Sequence, residues 1–291
     1  MFEYDHLAPL QVAQLGAVNE AGAIIHDVTY ASPLGGRVPA YLVIPEVGVG
    51  PFAGLIYLHP GEGNRSSYLP EAVAMAGAGV VSLLIDAPFL RRENAHWASG
   101  YRPLAEEEAA LYRQIVLDLR RAVDLLSNRV DVDPARIGYV GHSLGATWGG
   151  PLAGVEHRIR AFVLMAGFPS LSDWYRTGTH PAAVRFRKRF DSPAHMESYL
   201  SVLEPLEAVR HLGRARGSFL FQFADADPFI SRAAAERYLA LAPEPKSGRW
   251  YETDHLFTGC TPARLDRAGW LAGELGLGAL PEPVLQRLAG L

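Results

Sequence analysis

Asp133-Pro134-Ala135-Arg136-Ile137-Gly138-Tyr139-Val140-Gly141-His142-Ser143-Leu144-Gly145 is the stretch on which the reading of the whole chain turns. Its β-rich core, Ile137 to Val140, runs straight into Gly141-His142-Ser143-Leu144-Gly145. A helix-compatible segment with Ala146, Thr147, Trp148, Leu152 and Ala153 leaves it. A G-x-S-x-G string is common enough to be incidental, and then Ser143 is just one residue of a glycine-rich turn. Set between a strand and a helix, the string instead puts the serine on a tight turn with its hydroxyl pushed clear of the sheet. The flanking glycines keep Cβ atoms out of neighbouring backbone, and the helix N-terminus directs free N–H groups at the point where negative charge would develop.

Outward from that turn, short β-rich runs alternate with helical patterns, the signature of βαβ units around a mostly parallel sheet covered on both faces. The spacing predicts strands at Ala53 to Leu58, Val80 to Ile85, Arg136 to Val140, Ile159 to Ala166, Gly217 to Phe223 and Arg249 to Glu252. Ahead of them, Ala23 to Tyr30 and Val38 to Ile44, split by Ser32-Pro33-Leu34-Gly35-Gly36, read as an antiparallel hairpin at the sheet edge, which makes eight strands. Helices are predicted near Leu69 to Gly77, Ala105 to Ser127, Ser143 to Ala153, Ser231 to Leu241 and Thr261 to Leu275. Residues 167–212 are too long for a βα connection and are expected to be a helical insertion in a single domain spanning residues 1–291.

With 49% hydrophobic and 20% charged residues among 291, the chain can bury a sizeable core and is not disordered as a whole. A net charge of -4 leaves no basic excess for a phosphate backbone or an anionic membrane, so neither nucleic acid nor membrane is an expected partner. The longest apolar run, Ala72 to Ile85, is too short to span a bilayer. Cys260, the one cysteine, closes no disulfide and offers no metal-ligand cluster, which fits a reducing compartment. The acidic start MFEYDHLAPL lacks the positive charge of a secretory signal. Together these point to a cytoplasmic protein.

A serine hydroxyl is a weak nucleophile until a base takes its proton, and the base needs a carboxylate to hold its tautomer. In the strand-elbow arrangement both partners follow the serine, acid before histidine. Phe219 to Phe223 is an apolar strand ending in Ala224-Asp225-Ala226-Asp227-Pro228-Phe229-Ile230, and Trp250 to Glu252 leads into Thr253-Asp254-His255-Leu256-Phe257. Ser143, Asp227 and His255 therefore stand in the required order. Asp225 competes for the acid position; Asp227 is preferred because its loop enters a helix with Ser231 as N-cap. His255 is the only histidine after the acidic loop, the alternative being a plain surface histidine. Two N–H donors must meet the oxyanion: Leu144, next after the serine, and Gly61 in the turn His59-Pro60-Gly61-Glu62-Gly63, with Glu62 second choice. Pro60 has no N–H to give, and His59 is read as an anchor of the turn.

At these residues the chain resembles the α/β-hydrolase superfamily, and within it the dienelactone-hydrolase-like and acyl-peptidase-like serine esterases. The likeness rests on the His59-Pro60-Gly61 turn, the run Asp133 to Gly145, the Asp227 loop and the His255 loop, and spans roughly residues 20 to 275. It implies an α/β-hydrolase fold with an eight-stranded mostly parallel sheet, a Ser-His-Asp triad, no cofactor or metal, and hydrolysis of small or medium acyl esters through an acyl-enzyme. Serine stands where dienelactone hydrolases proper carry cysteine. Two alternatives stay open: a peptidase or amidase acting on short or acylated peptides, and a non-catalytic binder of small ligands on the same fold. The partner expected is a small-molecule ester, with monomer and homodimer both compatible.

The insertion leaves the carboxyl end of the sheet, the edge that carries the elbow, and is expected to act as a lid. Of its rings Phe168, Trp174, Tyr175, Phe186, Phe190 and Tyr199, two or three are expected to face substrate, with Phe168 and Trp174, alongside Glu62, as the substrate-binding candidates; Trp148 is expected in the core. Arg185-Phe186-Arg187-Lys188-Arg189-Phe190 reads as a solvated face or as an attractor of anions. Arg91-Arg92 is a candidate to meet a carboxylate near the pocket mouth.

Overall fold

Runs that are apolar at successive positions rather than alternating (52–58, 80–85 and 159–165) are buried almost throughout, as strands covered by helices on two sides must be. The computed structural model describes residues 1–91, 94 and 102–291. Among them, nine strands form one sheet: β1 (Ala13–Glu20), β2 (Ala23–Ala31), β3 (Arg37–Pro45), β4 (Phe52–Leu58), β5 (Val80–Ile85), β6 (Val132–His142), β7 (Ile159–Met165), β8 (Ser218–Ala224) and β9 (Lys246–Tyr251), in the order β1-β2-β3-β5-β4-β6-β7-β8-β9. The first three strands are antiparallel to their neighbours and the remainder, β4 through β9, run parallel to one another.

The expected hairpin is β2–β3, but it does not form the edge. Strand β1 pairs antiparallel with β2 outside it, giving nine strands rather than eight. All of β1 is exposed, so it buries no face and carries no apolar alternation for periodicity to detect. The unpaired backbone groups along β2 hold it in place.

Ten helices are described: α1 (Leu69–Ala76), α2 (Ala105–Ser127), α3 (Leu144–Val155), α4 (Leu171–Thr177), α5 (Pro181–Arg187), α6 (Pro193–Leu203), α7 (Ala208–His211), α8 (Arg232–Leu241), α9 (Thr261–Glu274) and α10 (Glu282–Ala289). The apolar spacing of α2 marks its ends correctly, and Glu106, Glu107 and Glu108 in its first turn suit the positive end of the helix dipole. Helix α10 lies beyond the predicted elements. It buries Val284 and Leu288, four residues apart on one face, and starts among prolines; at eight residues it is a short signal, although proline in the first helical turn is well tolerated.

Helices α4 to α7 lie between β7 and β8 and fill the insertion. Their aromatic surface has two destinations. Phe186, Tyr199, Leu200 and Leu203 form a second cluster with Ala105 of α2, and Tyr175 and Phe190 pack on it. The buried Glu108 carboxylate accepts from the hydroxyls of Tyr112 and Tyr199, which pins α6 to α2. These rings therefore fasten the insertion to the body. Only Phe168 and Trp174 point elsewhere. Trp148 is in the core, with its ring 4.3 Å from that of Tyr112.

The basic run is largely consumed inside the fold. Arg187 donates to the carbonyls of Tyr175 (2.7 Å) and Gly178 (2.9 Å), and Arg189 lies over the Phe186 ring at 5.0 Å and donates to the carbonyl of Pro103. Arg185 and Lys188 alone of the four are exposed, so the run is not a continuous anion-attracting face. The charge of Arg91 is likewise already matched: the residue is buried and ion-paired with Asp118 of α2, while Arg92 lies outside the described residues.

Candidate active site

Ser143 occupies the junction of β6 and α3 with φ +50°, a left-handed conformation rare for a residue with a side chain and held only where surrounding structure demands it. Its N–H donates to the carbonyl of Met165 at the end of β7 (2.7 Å), and its carbonyl accepts from the N–H and hydroxyl of Thr147 (2.8 Å each). The two glycines beside it are required by close approach: a Cβ on Gly141 would sit 2.5 Å from backbone atoms of Gly145, and one on Gly145 would sit 2.2 Å from the carbonyl oxygen of Leu58. Helix α3 can therefore start directly against the end of β4.

From this turn the Ser143 hydroxyl reaches Nε2 of His255 at 2.8 Å, and Nδ1 of the same ring lies 2.8 Å from Oδ2 of Asp227. A carboxylate can only accept, so Nδ1 carries the proton and Nε2 is left to accept from the serine. The Asp227 carboxylate is buried, and its other oxygen accepts the N–H groups of Phe229 (2.8 Å) and Ile230 (2.9 Å). Ser231 caps α8 through the N–H of Ala234 at 3.2 Å. Asp225, two residues earlier, is exposed and 3.9 Å from Arg232.

Sequence reasoning gave His142 no role. It is buried, and its Nε2–H donates to the backbone carbonyl of His255 at 2.7 Å, tying the elbow to the histidine loop. Burial is the main reason its pKa is pushed down to about 3, so the ring is neutral at ordinary pH. Nothing in the sequence marks it, since the x of G-x-S-x-G accepts many residues. His59 holds the opposite wall. Its Nε2 accepts from the N–H of Ala87 (3.1 Å) and its Nδ1–H donates to the Pro60 carbonyl (2.7 Å), with burial lowering its pKa. It thereby fixes the turn at residues 59–63 to the loop after β5.

The Leu144 N–H opens α3 and belongs to the helical turn whose donors have no partner within the helix. Gly61 is in the exposed turn that follows β4, where Leu58 meets Gly145, so both donors stand on one edge of the sheet. Phe168 and Trp174 meet with ring centres 5.0 Å apart and share with His180, Asp227 and Phe229 the wall of a cavity of about 440 Å³. Phe229 also packs on the His255 ring at 4.6 Å. Glu62, exposed on the turn, is not part of that wall. His180 and Phe229 were not singled out from the sequence; lone rings in loops carry no periodic signal.

A family model described as acetyl xylan esterase (AXE1) matches residues 16–200, well over half of the chain and including the whole elbow. The chain belongs to the acetyl xylan esterase family. It is an α/β-hydrolase and a serine carboxylesterase acting on acyl esters. Asp227 and His255 lie beyond the matched segment. Two uncharacterized proteins of Mycobacterium tuberculosis, from strains CDC 1551 / Oshkosh and ATCC 25618 / H37Rv, are each 30% identical over 234 residues, covering 79% of this chain and 73% of the relative. Among solved structures, the acetyl xylan esterase from Paenibacillus sp. R4 superposes with a TM-score of 0.73 at 21% identity, covering 89% of both chains. Acetyl xylan esterase 1 from Thermoanaerobacterium sp. JW/SL YS485 does so with 0.73 at 18% identity, covering 94% of this chain and 89% of its own. At such identities the two structures speak for the fold alone. Among the described residues no helix is long and apolar enough to cross a membrane.

Proposed function

We propose that this member of the acetyl xylan esterase family hydrolyses small or medium acyl esters by way of an acyl-enzyme on Ser143. The observation that carries the reading is the unbroken relay Ser143–His255–Asp227, at 2.8 Å for each contact. His255 takes the serine proton through Nε2 as Oγ attacks the ester carbonyl, and returns it to the departing alkoxide. Asp227 holds the tautomer and stabilises the imidazolium. The N–H groups of Leu144 and Gly61 receive the oxyanion. Water then repeats the sequence on the acyl-serine and releases the acid.

Residues 167–212 serve as the lid of a single domain in this reading, with Phe168 and Trp174 presenting apolar surface to the ester. The relay requires no metal and no organic cofactor. Acetyl esters of sugars are the first substrates to test, given the names of the relatives. A reducing, cytoplasmic setting goes with the single thiol of Cys260.

Ser143→Ala is the deciding variant. Turnover of p-nitrophenyl acetate should drop by about 10³-fold or more with the melting temperature preserved, leaving the residual rate expected of an oxyanion site without its nucleophile. A fluorophosphonate should label the native protein and not the variant. A variant retaining most of the native rate would remove Ser143 from the mechanism.

A further inference from the structure

A second cavity, of about 350 Å³, lies on the other side of the histidine loop, within the size range of small-ligand pockets (about 300–1,000 Å³). Its wall mixes apolar surface from Tyr68, Met165, Leu256 and Phe257 with the charged groups Glu71, Arg264 and Arg267. Leu291, with the terminal carboxylate, also lines the cavity, so the charges are equal in number but unevenly paired. Arg267 is buried and engages both oxygens of Glu71, with its Nε at 2.9 and 3.1 Å. That pair is self-sufficient. Arg264, 8% exposed, donates Nη1–H to the carbonyl of Leu288 at 2.8 Å, and among the described residues no carboxylate pairs with it. One backbone carbonyl uses one of a guanidinium's five donors.

A buried cation with no carboxylate paired to it is costly, and an anion entering the cavity relieves that cost. Burial first, and then the neighbouring Arg267 guanidinium, disfavour the charge on Arg264, and Glu71 offsets them only in part. His142, also in the wall, is neutral and brings no opposing charge. We propose that this cavity is a subsite for a monocarboxylate with an apolar tail, whose carboxylate meets Arg264 while its tail lies against Tyr68, Met165 and Phe257.

The cavity adjoins the relay. Pro60 of its wall begins the turn that carries Gly61, Leu256 and Phe257 follow His255, and His142 holds the carbonyl of His255. Two sources of such a carboxylate fit: a free acid group borne by the ester substrate, or the acid that hydrolysis releases. The proposal deepens the esterase reading and rests on it for the substrate-borne source alone, because the free acid can be assayed without turnover.

The experiment compares p-nitrophenyl acetate with the p-nitrophenyl monoester of glutaric acid, and titrates hexanoate into the Ser143→Ala protein by calorimetry. Three changes are made: Arg264→Gln, which removes the cation, Arg264→Lys, which keeps it, and Ser67→Asp, which brings a carboxylate to the cavity wall and leaves Arg264 in place. A substrate-borne carboxylate predicts that kcat/KM for the monoester relative to the acetate falls at least tenfold in Arg264→Gln and Ser67→Asp and recovers in Arg264→Lys. The released acid predicts an unchanged ratio but hexanoate affinity weakened at least tenfold by Arg264→Gln and by Ser67→Asp. If Arg264→Gln does not fold, Ser67→Asp decides alone. Unaltered ratio together with unaltered hexanoate binding overturns the subsite. Turnover surviving in Ser143→Ala overturns the esterase assignment instead and leaves the calorimetric result to stand by itself.

Discussion

Glycine to alanine should have opposite signs at two helical positions of this protein, and the difference tests the elbow geometry directly. At Gly145 an added Cβ would sit 2.2 Å from the carbonyl oxygen and 2.9 Å from the carbonyl carbon of Leu58. Neither neighbour can yield. Leu58 is paired to Ile85 on one side and Gly141 on the other in the centre of the sheet, and Gly145 is in the first turn of α3. Overpacking of this kind costs about 1–3 kcal/mol and sometimes more; two rigid backbones over an ångström too close belong at the upper end. Alanine recovers up to about 1 kcal/mol in helix propensity and unfolded-chain entropy, leaving a net loss of about 2–3 kcal/mol. With an unfolding entropy of about 2.1 cal/mol/K per residue, 291 residues give roughly 0.6 kcal/mol/K, so Tm should fall by about 3–5 °C. Because Ser143 precedes the displaced turn, p-nitrophenyl acetate turnover should fall as well, by about tenfold or more. The matched control is Gly269 of α9, exposed and with nothing within 4 Å of the added Cβ; there the same change should raise Tm by about 1–2 °C through propensity alone. Calorimetry and the ester assay read both variants. Native stability and rate in Gly145→Ala would refute the close approach of α3 to β4 and the elbow geometry built on it.

Asp227→Asn should reduce turnover by about 10³- to 10⁴-fold, since an amide facing Nδ1 no longer selects the tautomer that leaves Nε2 free to accept. Asp225→Asn, at the exposed position, should stay within about twofold, and the reverse ranking would transfer the acid role. A third expectation concerns acid stability. The His142 pKa is lowered from 6.5 to about 3 in the folded protein, so between those values the unfolded chain binds the extra proton and stability declines as pH falls. By pH 4.5 the loss is about 3 kcal/mol, complete near pH 3 and absent above 6.5. His59, lowered by burial as well, acts in the same direction. Urea midpoints at pH 7.5 and 4.5 should therefore differ less in His142→Gln than in the native protein; equal pH dependence would show that the ring is not kept neutral by burial.

Much of the architecture was legible because burial on two faces leaves unmistakable runs. Phe52–Leu58 and Val80–Ile85 are apolar without alternation, and the ends of α2 follow from its three- and four-residue spacing. The order serine, acid, histidine and the strand–glycine–serine–glycine–helix context also lay open, being local in the chain. Strand β1 did not, because its pairing satisfies backbone groups and buries no side chain. Helix α10 was missed for a different reason: it is short, begins among prolines and buries only Val284 and Leu288. The insertion was legible as an interruption of the βα rhythm, whereas its rings were indistinguishable in sequence: Tyr199 and Phe186 look like Trp174 until packing sends the first two against α2 and the third toward Phe229.

By itself, then, the sequence determined which residues could be strands, where the serine turn falls, and that an acidic loop and then a histidine loop follow it, since each of these depends on neighbours a few positions away. Tertiary structure alone decided that the Asp227 carboxylate in fact reaches Nδ1, that His142 braces the carbonyl of His255, and that Arg264 is buried with no carboxylate paired to it among the described residues. The physical reason is distance along the chain. Those contacts join residues between 24 and 113 positions apart, and a hydrogen bond or a missing counter-charge is set by where the sheet and helices bring side chains, which no local pattern records.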